Sequence, residues 1–216
     1  MRRAALLLSC AACLETPGTE PPWRLDGDRV LAVRVTPPRL LPGEVGLLDV
    51  LVARAGGTTA VETPTGATAA FAPGDLYTAV HFNVDRWQVD GPDEPRLDVA
   101  RAELGLPPGA PVPLEVRLQV AGPLFAKKVV WLGDTRENPT ASFALGPALR
   151  VGLDYPLVAD EPATSVRWYA SCGRIEDHER AATRLHIEAP CTGEVAVVIR
   201  DEAGGVAWQT LPVRAD

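Results

Sequence analysis

Cys10 and Cys13 have the C-x-x-C spacing that holds zinc or runs dithiol chemistry in other settings. Here they close a short apolar run, Ala4 to Leu8 and the small residues after it, led by Arg2 and Arg3. A positive start, an apolar middle and small residues before a cut are the layout of a secretory signal, so the pair reads as a processing site and not a metal site. The three histidines, His81, His178 and His186, form no H-E-x-x-H or comparable close pair and read as solvated surface groups. Ser171 in YASCG is the nearest approach to a hydrolase nucleophile, but G-x-S-x-G is absent. The acidic turns Asp26–Asp28 and Asp90–Glu94 offer oxygen ligands for calcium without the full ligand series of an EF-hand loop, and aspartate and glycine are ordinary turn residues. No catalytic residue, cofactor or metal ligand set is expected. The alternative is a secreted enzyme of hydrolase class with a divergent site.

Composition narrows the class. The 216 residues are 46% hydrophobic, enough for a buried core, and the net charge is −7. An acidic body is a poor electrostatic partner for nucleic acid, so no nucleic-acid partner is expected. No apolar run approaches the 18 or so residues of a spanning helix. The 21 prolines and 19 glycines are spread along the chain, which suits short strands and tight turns.

The segment Ala11-Ala12-Cys13 resembles the lipobox of bacterial lipoproteins, a family in which the signal is cut before a cysteine that then carries lipid. Leu7-Leu8-Ser9-Cys10 resembles it too, with the leucine the family prefers. Two arguments favour Cys13. Ending at Ala12 brings the apolar region into the usual range of roughly 7–15 residues, whereas ending at Ser9 does not. If Cys13 is lipidated, Cys10 leaves with the signal and Cys172 and Cys191 can pair. If Cys10 is lipidated, Cys13 stays as an odd thiol in an oxidising compartment. Cys10 remains the alternative. Residues 1–12 are therefore read as signal and 13–28 as lipidated cysteine and extended tether. Trp23 in that tether is either a contact to headgroups or partner, or the first packed residue of the fold.

From Arg29 the pattern has period two. In VLAVRVT, Leu31, Val33 and Val35 are expected on one face; in LEVRLQV, Leu114, Val116, Leu118 and Val120 face in, with Glu115, Arg117 and Gln119 out. Further strands are expected over Val45–Arg54, Tyr77–Phe82, Arg86–Val89 and Lys127–Leu132, and one helix over Pro95–Leu104, stopped by Gly105. The polar stretch GDTRENPTASF reads as a boundary between domains at 29–137 and 141–216. In the second block strands are expected over Leu149–Tyr155, Ser165–Ala170, Arg184–Ala189, Glu194–Asp201 and Val206–Val213. Trp87, Trp131, Trp168 and Trp208 fall in strands and read as core.

The last third, with Trp168 in a central strand, PCTGE before a hydrophobic strand and the hairpin RDEAGGVAW, resembles bacterial immunoglobulin-like domains. VLAVRVTPPRLLPGEVGLLDVLV resembles the leading strands of another such module. The fold implied is all-β, two immunoglobulin-like β-sandwich domains. The layout is similar to lipoproteins of myxobacterial type, which implies a non-enzymatic protein of the cell envelope. It would be anchored by lipid at the outer membrane and act as a binding or structural module, with another envelope protein or a glycan as partner. Both distal cysteines follow Trp168, unlike the antibody-type bridge that flanks the tryptophan. A Cys172–Cys191 disulfide would close a charged segment of roughly 20 residues and stabilise a small domain by about 3 kcal/mol.

Overall fold

The structure, a computed structural model, describes residues 21–146, 148–159 and 165–216. Cys10, Cys13 and the signal lie outside the described residues. The first half holds β1 (Arg29–Thr36), β2 (Arg39–Leu40), β3 (Val45–Arg54), β4 (Thr58–Glu62), β5 (Gly66–Phe71) and a 3₁₀ turn at Leu76–Ala79. It continues with β6 (Val80–Asn83), β7 (Arg86–Asp90), α1 (Glu94–Leu104), β8 (Val112–Gln119) and β9 (Phe125–Leu132). The second half holds β10 (Ala148–Leu149), β11 (Asp154–Val158), β12 (Ser165–Ala170), β13 (Arg174–Ile175), β14 (Ala182–His186), β15 (Cys191–Arg200) and β16 (Val206–Ala215).

The chain is all-β, and its strand order is immunoglobulin-like twice over. In the first half β1-β3-β7-β6 face β2-β9-β8-β5, with β4 added to β3. Lettered in chain order, with β4 set aside, these are the A-B-E-D and A′-G-F-C sheets of that fold. In the second half β10-β16-β15-β12 face β11-β14-β13, the same A′-G-F-C and B-E-D arrangement. The A′ strand of each half runs parallel to the last, β2 beside β9 and β10 beside β16, and the other strand pairs are antiparallel.

Alternation explains the first core. Leu114, Val116 and Leu118 of β8 are buried against Val33, Val35, Leu48, Val50 and Val89 of the opposite sheet. α1 connects β7 to β8 across the sandwich. Asp93 caps it by accepting the Arg96 N–H at 3.2 Å, and Gly105 ends it in a left-handed conformation, φ 65°. The second core gathers Trp168, Ala170 and Cys172 with Val195, Val197 and Ile199 and, from the facing sheet, Leu157, Ile175 and Leu185. Trp168 is fully buried, edge-on to Phe143 at 5.1 Å, and its indole N–H donates to the Arg180 carbonyl.

A third buried cluster joins the two sandwiches. Leu31 and Ala32 of β1 and Leu51 and Ala53 of β3 meet Tyr169 of β12, Ala196 and Val198 of β15 and Val206 of β16. The outer face of one sheet thus lies on the outer face of another, and the sandwiches sit side by side in four layers. Polar contacts pin the seam. The Asn138 amide donates to the Val35 carbonyl at 2.8 Å and accepts the Val206 N–H at 2.8 Å. The Arg39 guanidinium reaches the Ala203 carbonyl at 2.9 Å, and Arg34 stacks on Trp208 at 4.1 Å. Glu194 accepts both the N–H and the hydroxyl of Thr59. At Gly57, φ 81°, any Cβ would stand 2.6 Å from the Ser171 Cβ, so only glycine lets the β3–β4 turn close on the second sandwich.

Several expectations are corrected. Leu31 does not share a face with Val33 and Val35. A bulge between Val30 and Ala32 shifts the β1–β3 register by one residue and turns Leu31 to the seam. Tyr77–Phe82 is a 3₁₀ turn followed by a short strand, and Leu149–Tyr155 is broken by a turn at Val151–Gly152. The strand expected over Arg184–Ala189 lies earlier, at Ala182–His186, and β2, β4, β5 and β13 were not anticipated. The end of the expected tether is not extended and free. Residues 23–25 form a strap along the open edge of β12: Ala170 N–H donates to the Trp23 carbonyl at 2.9 Å, and Leu25 N–H to the Ala170 carbonyl at 3.1 Å. Leu25 is fully buried in the seam and Trp23 packs on the second core. With the Trp168 N–H donating to the His178 carbonyl at 2.8 Å, the strap completes the cover of this edge strand.

Candidate binding surface

The two sheets of the first sandwich part between β5–β8 and β7, and aromatic side chains stand at the mouth. Trp87 is half-buried against the core and meets Phe82, its cross-strand partner, edge-on at 5.6 Å. Phe125 opens β9 and is 71% exposed. Trp87 and Phe125 line a groove of about 330 Å³ with Gly66–Thr68 and Arg117–Gln119. Among the described residues the buried Trp87 indole N–H has no hydrogen-bond partner, a state that costs about 1–3 kcal/mol. Glu115 sits beyond the groove between Lys127, at 2.9 Å, and Arg117, at 3.7 Å. The hydrogen bond from Lys127 and the two positive charges hold its carboxyl below the usual range.

The hairpin that carries Phe82 and Trp87 turns at Val84. This residue has φ 57° and is 91% exposed, with Asp85 N–H folded back to the Asn83 carbonyl at 2.7 Å. A β-branched side chain disfavours the left-handed region, where glycine or asparagine is the usual choice. The sequence therefore holds an apolar residue at full exposure and at a backbone cost, beside the aromatic mouth.

The residues singled out by type do not converge. His81 lies 3.6 Å from Asp90, His178 3.9 Å from Glu179, and His186 Nδ1 2.5 Å from Asp154, each in a separate, partly exposed pair. Among the described residues no group of three histidine, cysteine or acidic side chains could hold a metal ion. In the acidic turns Asp28 accepts the Ala55 N–H, Asp26 pairs with Arg24, Asp93 caps α1 and Glu94 pairs with the buried Arg101. Ser171 is a structural acceptor: its Oγ takes the Glu194 N–H at 2.9 Å under the β3–β4 turn. Cys172 and Cys191 form a disulfide over a separation of 19 residues, joining the bend after β12 to the first residue of β15. The segment it encloses contains β13 and β14.

Of the tryptophans expected in the core, Trp168 alone is fully buried. Trp208 borders the seam, and Trp131 lies beside Gly204 of the second sandwich. Among the described residues no helix is long and apolar enough to cross a membrane.

No protein-family model matches the chain, and no curated protein sequence matches it. Solved structures similar to it include the two-domain IG1+IG2 fragment of DIP-gamma, at 11% identity and a TM-score of 0.30, over 88% of this chain and 98% of that one. Murine CEACAM1b is similar at 8% identity and a TM-score of 0.31, over 86% of this chain and 99% of that one. The D0-D1 domain of intimin is similar at 12% identity and a TM-score of 0.29, over 87% and 96%. At such scores the likeness carries no argument, and the architecture rests on the strand order described above.

Proposed function

We propose that the chain is a lipid-anchored, non-enzymatic binding module of the cell envelope, a lipoprotein of the outer membrane. Cys13 carries the lipid, with Cys10 as the alternative, and the aromatic mouth of the first sandwich binds another envelope protein. The blocks 29–137 and 141–216 are its two folding domains. The observation that carries this reading is the mouth itself: Phe82 and Val84, on the Trp87 hairpin, and Phe125, across the groove, are exposed beside the half-buried Trp87, whereas monomers seldom gather exposed apolar side chains into one patch without a partner. Aromatic residues flanked by arginine, as Trp87 and Phe125 are by Arg117, are the typical anchors of protein interfaces.

The test is a photoactivatable phenylalanine analogue placed at Phe125, with the exposed Arg180 as control position. Crosslinking in cells from position 125 and not 180 is the expected result. No crosslinked protein from position 125, together with retention on a glycan array, replaces the protein partner with a glycan. The anchor is checked by fractionation. Cys13→Ser moves the protein to the soluble fraction, and release by Cys10→Ser alone reassigns the lipid to Cys10.

A further inference from the structure

Lysine is almost absent from this chain. Lys127 and Lys128 are the two examples, and the other 19 of its 21 basic residues are arginine. On adjacent positions of β9 they point to opposite sides. Lys127 faces water and pairs with Glu115. Lys128 turns into the seam between the sandwiches, where its Nζ donates to the Gly204 carbonyl at 2.5 Å. Arg200, at the end of β15, lines the same cleft and donates to the Leu31 carbonyl at 2.9 Å. Neither cation forms an ion pair among the described residues, in a protein whose net charge is −7.

The cleft measures about 340 Å³, within the range of small-ligand pockets. Its walls are Val30–Val33 of β1, the first half of β9 and the β15–β16 turn. Among the described residues both strand edges lack a ladder partner there. β1 is outermost in its sheet, and β2 covers β9 only at Trp131 and Leu132. A lysine has three N–H donors and an arginine five, and each cation has one of its bonds to a main-chain carbonyl, so charge and donors remain on both sides.

We propose that this seam cleft binds a small soluble anion, a molecule bearing a carboxylate or phosphate group held jointly by Lys128 and Arg200. The ligand bridges the two sandwiches and stabilises their side-by-side packing. Asp201 is the acidic group in the cleft. Its carboxylate accepts the Gly205 N–H at 2.7 Å, so the anion sits on the Lys128–Arg200 side. The β1 wall contributes only apolar side chains. Removal from water, then repulsion by Arg200, hold the Lys128 ammonium down to about 8, against a weaker opposite pull from Asp201. A bound anion offsets both losses, so binding takes up a proton near pH 8 and weakens as the pH rises.

The test uses inorganic phosphate and citrate against chloride at matched ionic strength, read by the melting temperature. At pH 7 phosphate or citrate raises it saturably. The rise is at least tenfold weaker in apparent affinity for Lys128→Met and for Arg200→Met, is retained in Lys127→Met, and shrinks between pH 7 and 9.5. A shift no larger than that of chloride, or one that survives Lys128→Met, overturns the proposal. Because the chain has two lysines, the side-chain NMR signal of Lys128 can be followed in the Lys127→Met protein. Its titration midpoint moves up when phosphate or citrate is added, and a midpoint that both leave unmoved overturns the proposal even if the methionine variants at 128 and 200 fail to fold.

Discussion

β8 and β15 occupy the same place in their two sandwiches, the central F strand, and they are written differently. β8 alternates, with Leu114, Val116 and Leu118 buried and Arg117 and Gln119 in water. β15 runs Val195-Ala196-Val197-Val198-Ile199 without interruption, and all five are fully buried. A strand with one face on a core and one in water needs alternation; a strand covered on both faces needs a continuous apolar run. The outer face of β15 is covered because it is the seam. The end of β3, Val50-Leu51-Val52-Ala53, shows the same run for the same reason, since it is the other side of that seam.

The comparison breaks most sharply by introducing an aspartate on each outer face. Val198→Asp buries an unpaired carboxylate in the seam and should cost more than about 3 kcal/mol. Arg117→Asp on β8 should stay within about 0.5 kcal/mol. Urea unfolding of both variants measures the contrast, and equal costs would mean that the seam is not a core. Next comes the disulfide, present in one half alone among the described residues. Replacing Cys172 and Cys191 by serine releases a closed segment and should lower stability by about 3 kcal/mol, or roughly 6–12 °C in melting temperature. Calorimetry with and without reductant checks it, and unchanged melting would remove the bridge as a support of the second core.

Leu25→Ala tests the strap. Loss of a fully buried leucine should cost about 2–4 kcal/mol, although the residue lies in a segment that reads as tether. Faster hydrogen exchange at Leu25 and Ala170 should accompany the loss, and protection equal to wild type would show that the strap is held otherwise. The smallest effect has the opposite sign. Val84→Gly relieves a left-handed β-branched residue and should stabilise by about 1 kcal/mol, seen as a small rise in melting temperature. If the mouth is a binding surface, that gain comes with weaker crosslinking from position 125.

Legibility followed the range of the interactions. β8, α1 and the β15–β16 hairpin could be read from the chain because period, caps and turn glycines are local signals. β4 and β5 were missed because Thr58–Phe71 is mostly threonine, alanine and glycine, with no apolar periodicity to count. The runs in β3 and β15 were present in the sequence as a signal of two-sided burial, yet a template for alternation passes over them. Of the surface residues, Phe125 and Val84 carried no mark of function, since exposure is not written in residue type.

By itself the sequence determined an all-β chain with strands over most of their observed positions, one capped helix and two distal cysteines free to pair. Those follow from preferences of residues close together along the chain. Only the tertiary structure decided that the sandwiches lie side by side, that residues 23–25 edge β12, that a bulge turns Leu31 outward, and that Lys128 and Arg200 line one cleft. Each of these joins residues remote in sequence, Leu25 to Ala170 and Lys128 to Gly204 among them. Such pairings are selected by which apolar faces can be buried together, a choice that no local pattern encodes.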